Sequence, residues 1–175
     1  MKTIYFTAAS LDGYIADENH SLEWLFKNGP TDLSFIEKFL ESVGAIAMGA
    51  STYQWLLDHN DGSPWPYKVP CLVFTHRNFK TIPGADIRFV QGDVGIQHRE
   101  LRNLAGDQNI WIVGGGELAA QFFDLGLLDE IHIQTIGVFL NGGQKLFPRR
   151  TETSFKIKEI KQHGSTCVEV IYSTR

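Results

Sequence analysis

Three consecutive glycines mark the sharpest change of pattern in the sequence. The apolar run Ile110–Val113 leads directly into Gly114–Gly116, and Leu118 and Ala119 then begin an amphipathic helical segment. Residues without side chains let the backbone approach a ligand closely and adopt angles that other residues resist. The free N–H groups and the positive dipole end of the following helix attract an anion. The pattern predicts that this turn binds the diphosphate of a nucleotide.

Two other interpretations of the glycine turn stay open. The spacing of Gly114, Gly116 and Ala119 also fits the dinucleotide fingerprint of Rossmann domains. That fingerprint expects an acidic residue at the end of the next strand, whereas Glu130 stands at the start of it. A tight turn without a ligand is the second alternative, although a turn alone rarely needs three flexible residues in a row.

Strand-like and helix-like segments alternate around this turn. Apolar strand-like runs occupy residues 2–9, 45–49, 70–75, 87–90, 110–113 and 130–137. Helical spacing of apolar residues fills most of the intervals, and one such helix is predicted to begin at Pro30–Asp32 and to run to Val43, with Gly44 ending it. This alternation is typical of a parallel sheet with helices packed against it.

The rhythm changes near the C-terminus. Residues 155–160 and 167–172 are two strand-like runs joined around residues 163–165, a pattern that predicts an antiparallel hairpin. We therefore expect a single α/β domain over residues 1–175, with three layers: a mostly parallel central sheet flanked by helices, ending in an antiparallel hairpin.

Composition excludes several classes of function. The 175 residues carry a formal net charge of -4, without the basic excess that a nucleic acid partner requires. The apolar runs are far shorter than the roughly 20 residues of a membrane span, and no signal peptide is recognisable, so we expect a cytoplasmic protein. The two cysteines stand in apolar runs and the six histidines are scattered, so neither a disulfide nor a metal site is expected.

Four stretches, in a fixed order, resemble a known family. They are residues 8–16 (AASLDGYIA), residues 47–53 (AMGASTY), the glycine turn with its strand and helix, and residues 140–147 (LNGGQKLF). Together they resemble the dihydrofolate reductase superfamily and, within it, the reductase domain of bacterial riboflavin biosynthesis. The resemblance covers nearly the whole chain. It implies a dihydrofolate reductase-like fold and NADPH as the cofactor.

The resemblance also assigns residues to the cofactor. It places the turn 49–52 and the glycine turn at the diphosphate, residues 75–77 at the adenosine ribose phosphate, and the loop 10–16 over the nicotinamide. The implied cofactor-binding residues are Ala9, Ile15, Gly49, Ser51, Thr52, Thr75, His76, Arg77, Val113, Gly114, Gly115, Gly116, Glu117 and Leu118.

Arg77 is the residue expected to distinguish NADPH from NADH. It follows a strand-like run, and its planar guanidinium suits a phosphate group. The alternative is an ordinary exposed surface arginine. Ala50 stands where many members of the family have arginine, which removes one phosphate contact and weakens the expected preference for NADPH.

The same resemblance gives candidates for the substrate site. Asp32 begins a helical segment where folate reductases place the acid that holds the pterin ring, with Trp24 upstream of it. Gln134 replaces the threonine that supports this acid in folate reductases. Asp12 lies in the loop over the nicotinamide. We expect Asp32 and Asp12 to be catalytic, and Trp24, Asp32 and Gln134 to bind substrate.

Each carboxylate has a structural alternative. An aspartate at the start of a helix is a good N-terminal cap, which would explain Asp32. An Asp-Gly pair suits a turn in which the carboxylate bonds to its own backbone, which would explain Asp12 before Gly13.

The expected function is NADPH-dependent reduction of a small pyrimidine- or pteridine-like heterocycle, related to the aminouracil of riboflavin biosynthesis. Two alternatives are a non-catalytic NADP-binding or regulatory module and a dihydrofolate reductase proper; Gln134 and residues 142–143 count against the latter. A homodimer is expected, because the terminal hairpin offers an edge with Val168, Val170 and Tyr172 on one face.

Overall fold

The computed structural model describes residues 1–175 and is organised around an eight-stranded sheet. The strands are β1 (Thr3–Ser10), β2 (Tyr14–Ala16), β3 (Val43–Gly49), β4 (Cys71–Phe74), β5 (Ile87–Val90), β6 (Asn109–Gly114), β7 (Glu130–Ile136), β8 (Gln144–Lys145), β9 (Lys156–His163) and β10 (Cys167–Ser173). The helices are α1 (Glu23–Asn28), α2 (Ser34–Leu40), α3 (Ala50–Asp58), α4 (Val94–Ala105) and α5 (Gly116–Asp124). None of these helices is long and apolar enough to cross a membrane.

The strand order in the sheet is β5-β4-β3-β6-β1-β7-β10-β9, and β2 and β8 form a separate small pair. All neighbours from β5 to β7 are parallel, whereas β10 runs antiparallel to both β7 and β9. The mostly parallel sheet and the C-terminal hairpin are therefore confirmed.

Alternate residues of the central strands feed two separate cores. Tyr5 and Ile110 point to the face covered by α4 and α5, while Phe6 and Trp111 point to the face against which α2 and α3 pack. Because successive side chains of a strand face opposite sides, strands buried on both faces must be apolar throughout. This explains the continuous apolar runs in the sequence and gives the three layers expected from them.

The segment between the first two long strands differs from the prediction. A short helix, α1, precedes α2, and Val43 begins β3 instead of ending a helix. Val43 lies at helical spacing from Phe39 and Leu40, but it also begins an apolar run. Because the residues of this run are buried on both faces of the sheet, they form a strand. Gly44 does not stop a helix: a Cβ there would lie 2.4 Å from the Ala105 carbonyl oxygen, so glycine lets α4 pack closely on the sheet.

Candidate functional site

The carboxyl ends of four neighbouring strands, β5, β4, β3 and β6, line one cleft of about 670 Å³, and β1 contributes Thr7 from within the strand. Parallel strands end at the same edge of a sheet, and ligands of α/β proteins bind there. Strands lie about 4.8 Å apart, so the five strands from β5 to β1 extend over about 19 Å. The residues that these strands and the following turns contribute are Thr7, Gly49–Thr52, Phe74–His76, Val90–Gly92 and Val113–Leu118.

Two helices begin at the middle of this cleft. Helix α3 starts directly after β3, with Gly49 as its N-cap, and α5 starts directly after β6, with Gly115 as its N-cap. Neither N-terminus is capped by a side chain. The first N–H groups of a helix have no partner inside the helix, and its N-terminus carries a partial positive charge. Two such ends at one cleft can bind the two phosphates of a dinucleotide.

The three glycines of the turn serve different purposes. A Cβ on Gly116 would lie 2.4 Å from the Leu146 carbonyl oxygen, so close packing of the backbone requires glycine there. A Cβ on Gly114 would lie 3.2 Å from Thr52 Oγ1, where the two turns approach each other. A Cβ on Gly115 would meet nothing nearer than Ile15 Cδ1, at 4.0 Å.

Gly115 is therefore the glycine that leaves space in the cleft. Its φ of -86° and ψ of -177° are extended angles that other residues also adopt, so a left-handed φ is not the reason for glycine here. A side chain at this position would occupy the space beside the α5 N-terminus. This is the cradle that a diphosphate would fill.

The residues predicted to bind the cofactor line this cleft, with two exceptions. Ala9 is 1% exposed and lies within β1, opposite Thr135 of β7. Arg77 is exposed beyond His76, and its backbone N–H donates to Thr75 Oγ1 at 2.8 Å. The structure thus brings together the turns after β3, β4 and β6 that the resemblance assigned to the cofactor. Arg77 lies just outside the cleft.

Asp12 lies outside the cleft and connects two loops. Its carboxylate accepts hydrogen bonds from the Ser10 hydroxyl at 2.6 Å and from the backbone N–H of Asn141 at 2.8 Å, and it also accepts from the N–H of Leu140. The Ser10 bond, followed by the backbone bonds, lowers the pKa of Asp12. The carboxylate fixes the loop after β1 to the segment before β8.

Asp32 is also outside the cleft. It is exposed, and its Oδ1 accepts a hydrogen bond from the N–H of Ser34, the first residue of α2, at 2.9 Å. The bonds to Ser34, with a smaller effect of His163, lower the pKa of Asp32. This contact satisfies the N–H of the first helical residue, although the N-cap residue of α2 is Leu33 and not Asp32. Trp24, on α1, is half-buried, does not line the cleft, and its indole N–H is buried without a partner.

Gln134 is buried on β7 and does not line the cleft. Its amide donates to Glu169 Oε1 at 3.0 Å, and Glu169 Oε2 lies 2.9 Å from His163 Nε2. The His163 ring stacks on Phe35 of α2, with 3.8 Å between ring centroids. Gln134 therefore supports a buried carboxylate, but that carboxylate is Glu169 and not Asp32.

A second buried carboxylate extends this arrangement. Glu130 accepts from Lys2 at 2.8 Å and from Lys158, and His132 lies between Glu130 (3.1 Å) and Glu169 (3.7 Å). Burial raises the pKa of Glu130, but its hydrogen bonds from Lys158, Lys2 and His132 outweigh burial and lower the pKa to about 2. Burial lowers the pKa of His132. We call Glu130, His132, Gln134, His163 and Glu169 the carboxylate–histidine network.

Sequence reasoning missed several residues that line the cleft, and two groups of them are instructive. Gln91 and Gly92 directly follow β5, so the rule that ligands lie at the carboxyl ends of parallel strands could have found them. Trp55 of α3 and Tyr67 lie at the other end of the cleft. Tyr67 belongs to an irregular loop whose conformation no sequence pattern predicts.

Comparisons with known proteins agree with this architecture. The chain is 33% identical over 165 residues to the uncharacterized protein YwjB of Bacillus subtilis, covering 93% of this chain and 92% of that protein. A putative riboflavin biosynthesis protein from Shewanella sp. PV-4 has a structure with a TM-score of 0.84 and 27% identity, covering 99% of this chain and 98% of that one.

A third match is more distant. The structure of a diaminohydroxyphosphoribosylaminopyrimidine deaminase/5-amino-6-(5-phosphoribosylamino)uracil reductase from Thermotoga maritima has a TM-score of 0.66 and 17% identity, covering 98% of this chain and 56% of that one. At this identity the match concerns the fold alone. The model of the RibD C-terminal domain matches residues 68–168, more than half of the sequence. With its dihydrofolate reductase-like fold, the chain belongs to the RibD C-terminal domain family.

Proposed function

We propose that the protein is an NADPH-dependent reductase that acts on a small, flat, pyrimidine- or pteridine-like heterocycle. The observation that carries this proposal is the pair of uncapped helix N-termini, α3 and α5, that meet beside Gly115 in one long cleft. The match to the RibD C-terminal domain and the similarity to a putative riboflavin biosynthesis protein support a substrate ring of the aminouracil type.

The cleft residues fit a dinucleotide. The space at Gly115 and the first N–H groups of α3 and α5 would hold the diphosphate. Thr75 and His76, at the β4 end, would contact the adenosine part, and Ile15 and Val113 line the end nearer to β1. When bound, NADPH supplies the hydride. The side chain of Ile15 and the β2–β8 pair would cover that end of the cleft and exclude water from it.

No side chain is assigned as the proton donor. Glu117 is the only carboxylate that lines the cleft, and it is engaged with Arg149 at 2.5 Å. Asp12 and Asp32 both have partners elsewhere in the chain. In this proposal the proton reaches the reduced ring from solvent.

The lack of a free carboxylate in the cleft also favours a second candidate, an NADP-binding module without turnover. The same observation counts against a dihydrofolate reductase proper, because that function depends on an acid that faces the substrate ring. Asp32 is exposed outside the cleft, and Gln134 is engaged with Glu169.

Two measurements on the same protein separate these candidates. The first is the affinity for NADPH and NADH by calorimetry. The second is steady-state oxidation of NADPH with a panel of aminouracils, pteridines and dihydrofolate. Oxidation with a ring of the first two classes supports the proposal. Tight NADPH binding without oxidation would favour the binding module, and absence of NADPH binding would contradict both.

A further inference from the structure

The end of the cleft at β1 is built differently from the end at β4 and β5. Thr7 of β1 and Leu22 before α1 line the cleft here. Trp55 and Leu56 in the second turn of α3 also line it, and the Trp55 ring lies beside Phe26 of α1. Tyr67 completes the lining, with its ring beside Trp111 of β6, the strand next to β1. All five lining residues are partly buried, and none carries a charge. A reductase must hold its substrate beside the reactive end of the cofactor. The glycine turn and His76 are already assigned to the diphosphate and to the adenosine part of the cofactor, so the β1 end remains for the substrate.

The aromatic walls of this end are held in place by other rings. Tyr67 lies edge-on against Trp65 and Trp111, with ring centroids 5.3 Å and 5.5 Å away. The Trp55 ring stacks on His59, with 4.1 Å between centroids. Walls of fixed aromatic rings favour a flat aromatic ligand, because such a ligand can stack against them over a large area.

Positive charge is missing at this end. The basic residues that line the whole cleft are His20, His76 and Lys145. His76 follows β4, and Lys145 lies beside the glycine turn, where its carbonyl oxygen would be 2.7 Å from a Cβ on Gly116. His20, which is exposed, is therefore the remaining basic residue at the β1 end. The exposed Glu23, in the first turn of α1, adds negative charge next to Leu22.

A phosphate group on the substrate would therefore find no suitable partner. Proteins bind phosphate through arginine, lysine or the N-terminus of a long helix. Both long helices that begin at the cleft, α3 and α5, point their N-termini to the space at Gly115. A ribose phosphate next to Leu22 and Trp55 would lose its hydration and gain no counter-charge.

Two polar groups at this end have no partner within the chain, the buried indole N–H of Trp55 and the hydroxyl of Tyr67. The hydroxyls of Tyr5 and Tyr53 donate to backbone carbonyls, those of Leu146 and Lys80. Burial raises the pKa of Tyr67 to about 12, with no hydrogen bond among the causes, and its oxygen is not sealed from the surface. The neutral Tyr67 hydroxyl is thus available to a ring nitrogen or carbonyl group in the cleft.

We infer that the β1 end of the cleft binds an uncharged, flat heteroaromatic compound that bears no phosphate group, and that the Tyr67 hydroxyl orients it. This inference rests on the proposed reductase function and narrows its substrate class. It separates the protein from an enzyme for 5-amino-6-(5-phosphoribosylamino)uracil, whose phosphate would need a cationic site.

A matched pair of compounds tests the phosphate. Calorimetry with the protein loaded with NADP+, which holds no hydride to transfer, compares 5-amino-6-(5-phosphoribosylamino)uracil with the same compound lacking its phosphate. Lumazine serves as a third, smaller ring. We expect the phosphate-free compound to bind at least about 10-fold more tightly. Equal or tighter binding of the phosphorylated compound would overturn the inference, and so would failure of all three to bind.

Repeating these titrations without cofactor, and titrating NADPH alone, separates the two proposals. If NADPH does not bind, the reductase function fails, whereas the preference among rings still reports on the β1 end. If NADPH binds and the phosphorylated compound is preferred, the reductase function stands and only this inference fails.

Tyr67→Phe tests the hydroxyl, and Tyr172→Phe, the same change on β10 outside the cleft, is the control. We expect Tyr67→Phe to weaken ring binding by about 3- to 10-fold, the range for one hydrogen bond. NADPH affinity and thermal stability should stay at the wild-type level, because the hydroxyl has no partner in the chain. Unchanged ring affinity, or equal losses in both variants, would overturn the assignment of Tyr67.

Discussion

Two regions of the molecule concentrate polar groups, and they differ in whether those groups find partners within the chain. In the carboxylate–histidine network, Glu130 and Glu169 are almost fully buried, and each contacts His132 and at least two other side chains. In the cleft, the N-termini of α3 and α5 have no side-chain cap, and Tyr67 has no hydrogen bond.

The difference distinguishes structural from functional polar groups. A buried polar group without a partner costs free energy, so a fold satisfies the groups that serve its own stability. Polar groups that have no partner at a cleft keep their hydrogen-bonding capacity for a ligand. By this criterion we assign the network to the stability of the sheet around β7 and β10, and we propose the cleft as the place of binding.

The largest effect is expected from removing a buried carboxylate. Glu169→Ala should lower the free energy of unfolding by about 3 kcal/mol, because His163 and Gln134 lose their partner and His132 loses a nearby charge. Urea denaturation at pH 7 measures it. NADPH affinity should not change.

Glu152→Ala is the matched control for this prediction. Glu152 pairs with Arg150, but both side chains are more than four-fifths exposed, so its loss should be nearly neutral. If both variants lose the same free energy, or if Glu169→Ala loses NADPH binding while folded, the division into two regions is incorrect.

Gly115→Val should weaken NADPH binding by at least about 100-fold, equivalent to about 2.7 kcal/mol. The valine would fill the cradle beside the α5 N-terminus, whereas its Cβ meets no atom of the chain closer than 4.0 Å. The variant should therefore fold. Titration calorimetry gives the affinity, and thermal unfolding gives the stability.

Two other glycines sharpen this test. Gly116→Val should fail to fold properly, because its Cβ would lie 2.4 Å from the Leu146 carbonyl oxygen. Gly137→Val, where a Cβ meets nothing within 4 Å, should leave both properties unchanged. A folded Gly115→Val protein that binds NADPH within about threefold of wild type would place the diphosphate elsewhere.

Acid should destabilise the network in two steps. The pKa of His132 is lowered in the folded state, so its contribution is present at neutral pH and declines once the unfolded chain takes up a proton, below about pH 6.5. The pKa of Glu130 is lowered from 4.5 to about 2, so its contribution is complete above pH 4.5 and is lost as the pH falls from there towards 2.

Glu130→Gln isolates the second step. The difference in unfolding free energy between wild type and this variant should shrink by about 1–2 kcal/mol from pH 7 to pH 3, because the partially exposed lysines limit the effect. Denaturation curves at pH 7, 5 and 3 provide the values. A difference that is constant or grows towards acid would contradict the assigned direction.

The comparison also explains how far the sequence could predict the structure. Periodicity and apolar runs predicted the parallel sheet and the hairpin, because burial on both faces leaves a local signal. The glycine turn is also a local signal: it predicted the open backbone at the start of α5, whereas a diphosphate bound there stays a prediction. The partners of Asp12, Asp32 and Gln134 could not be predicted, since they depend on contacts between distant segments, such as Asp12 with Asn141 and Gln134 with Glu169.

A smaller effect is expected at the edge of the cleft. The only hydrogen bond of Arg77 within the chain is that of its backbone N–H, so its guanidinium is free for the extra phosphate of NADPH. Arg77→Ala should weaken NADPH binding by about 2- to 5-fold, the range of an exposed ion pair, and leave NADH binding unchanged. His76→Ala is the comparison, because His76 lines the cleft and should affect both cofactors. Equal losses for NADPH and NADH in Arg77→Ala would mean that Arg77 has only a structural role.

The smallest effect is expected at Asp32, and it decides between the two interpretations of that residue. A carboxylate that holds the substrate ring would make Asp32→Asn lower kcat/KM by about 100-fold or more. The structure instead gives Asp32 an exposed position and a hydrogen bond from the Ser34 N–H, a contact that an asparagine side chain also accepts. We therefore expect Asp32→Asn to keep its stability, its NADPH affinity and its kcat/KM within about threefold of wild type. Asp32→Ala, which removes the acceptor, should lose about 1 kcal/mol of stability with the same turnover. If Asp32→Asn remains stable and binds NADPH but loses most of its turnover, Asp32 reaches the substrate in the working enzyme, and the rule that internally satisfied groups are structural does not hold for this residue.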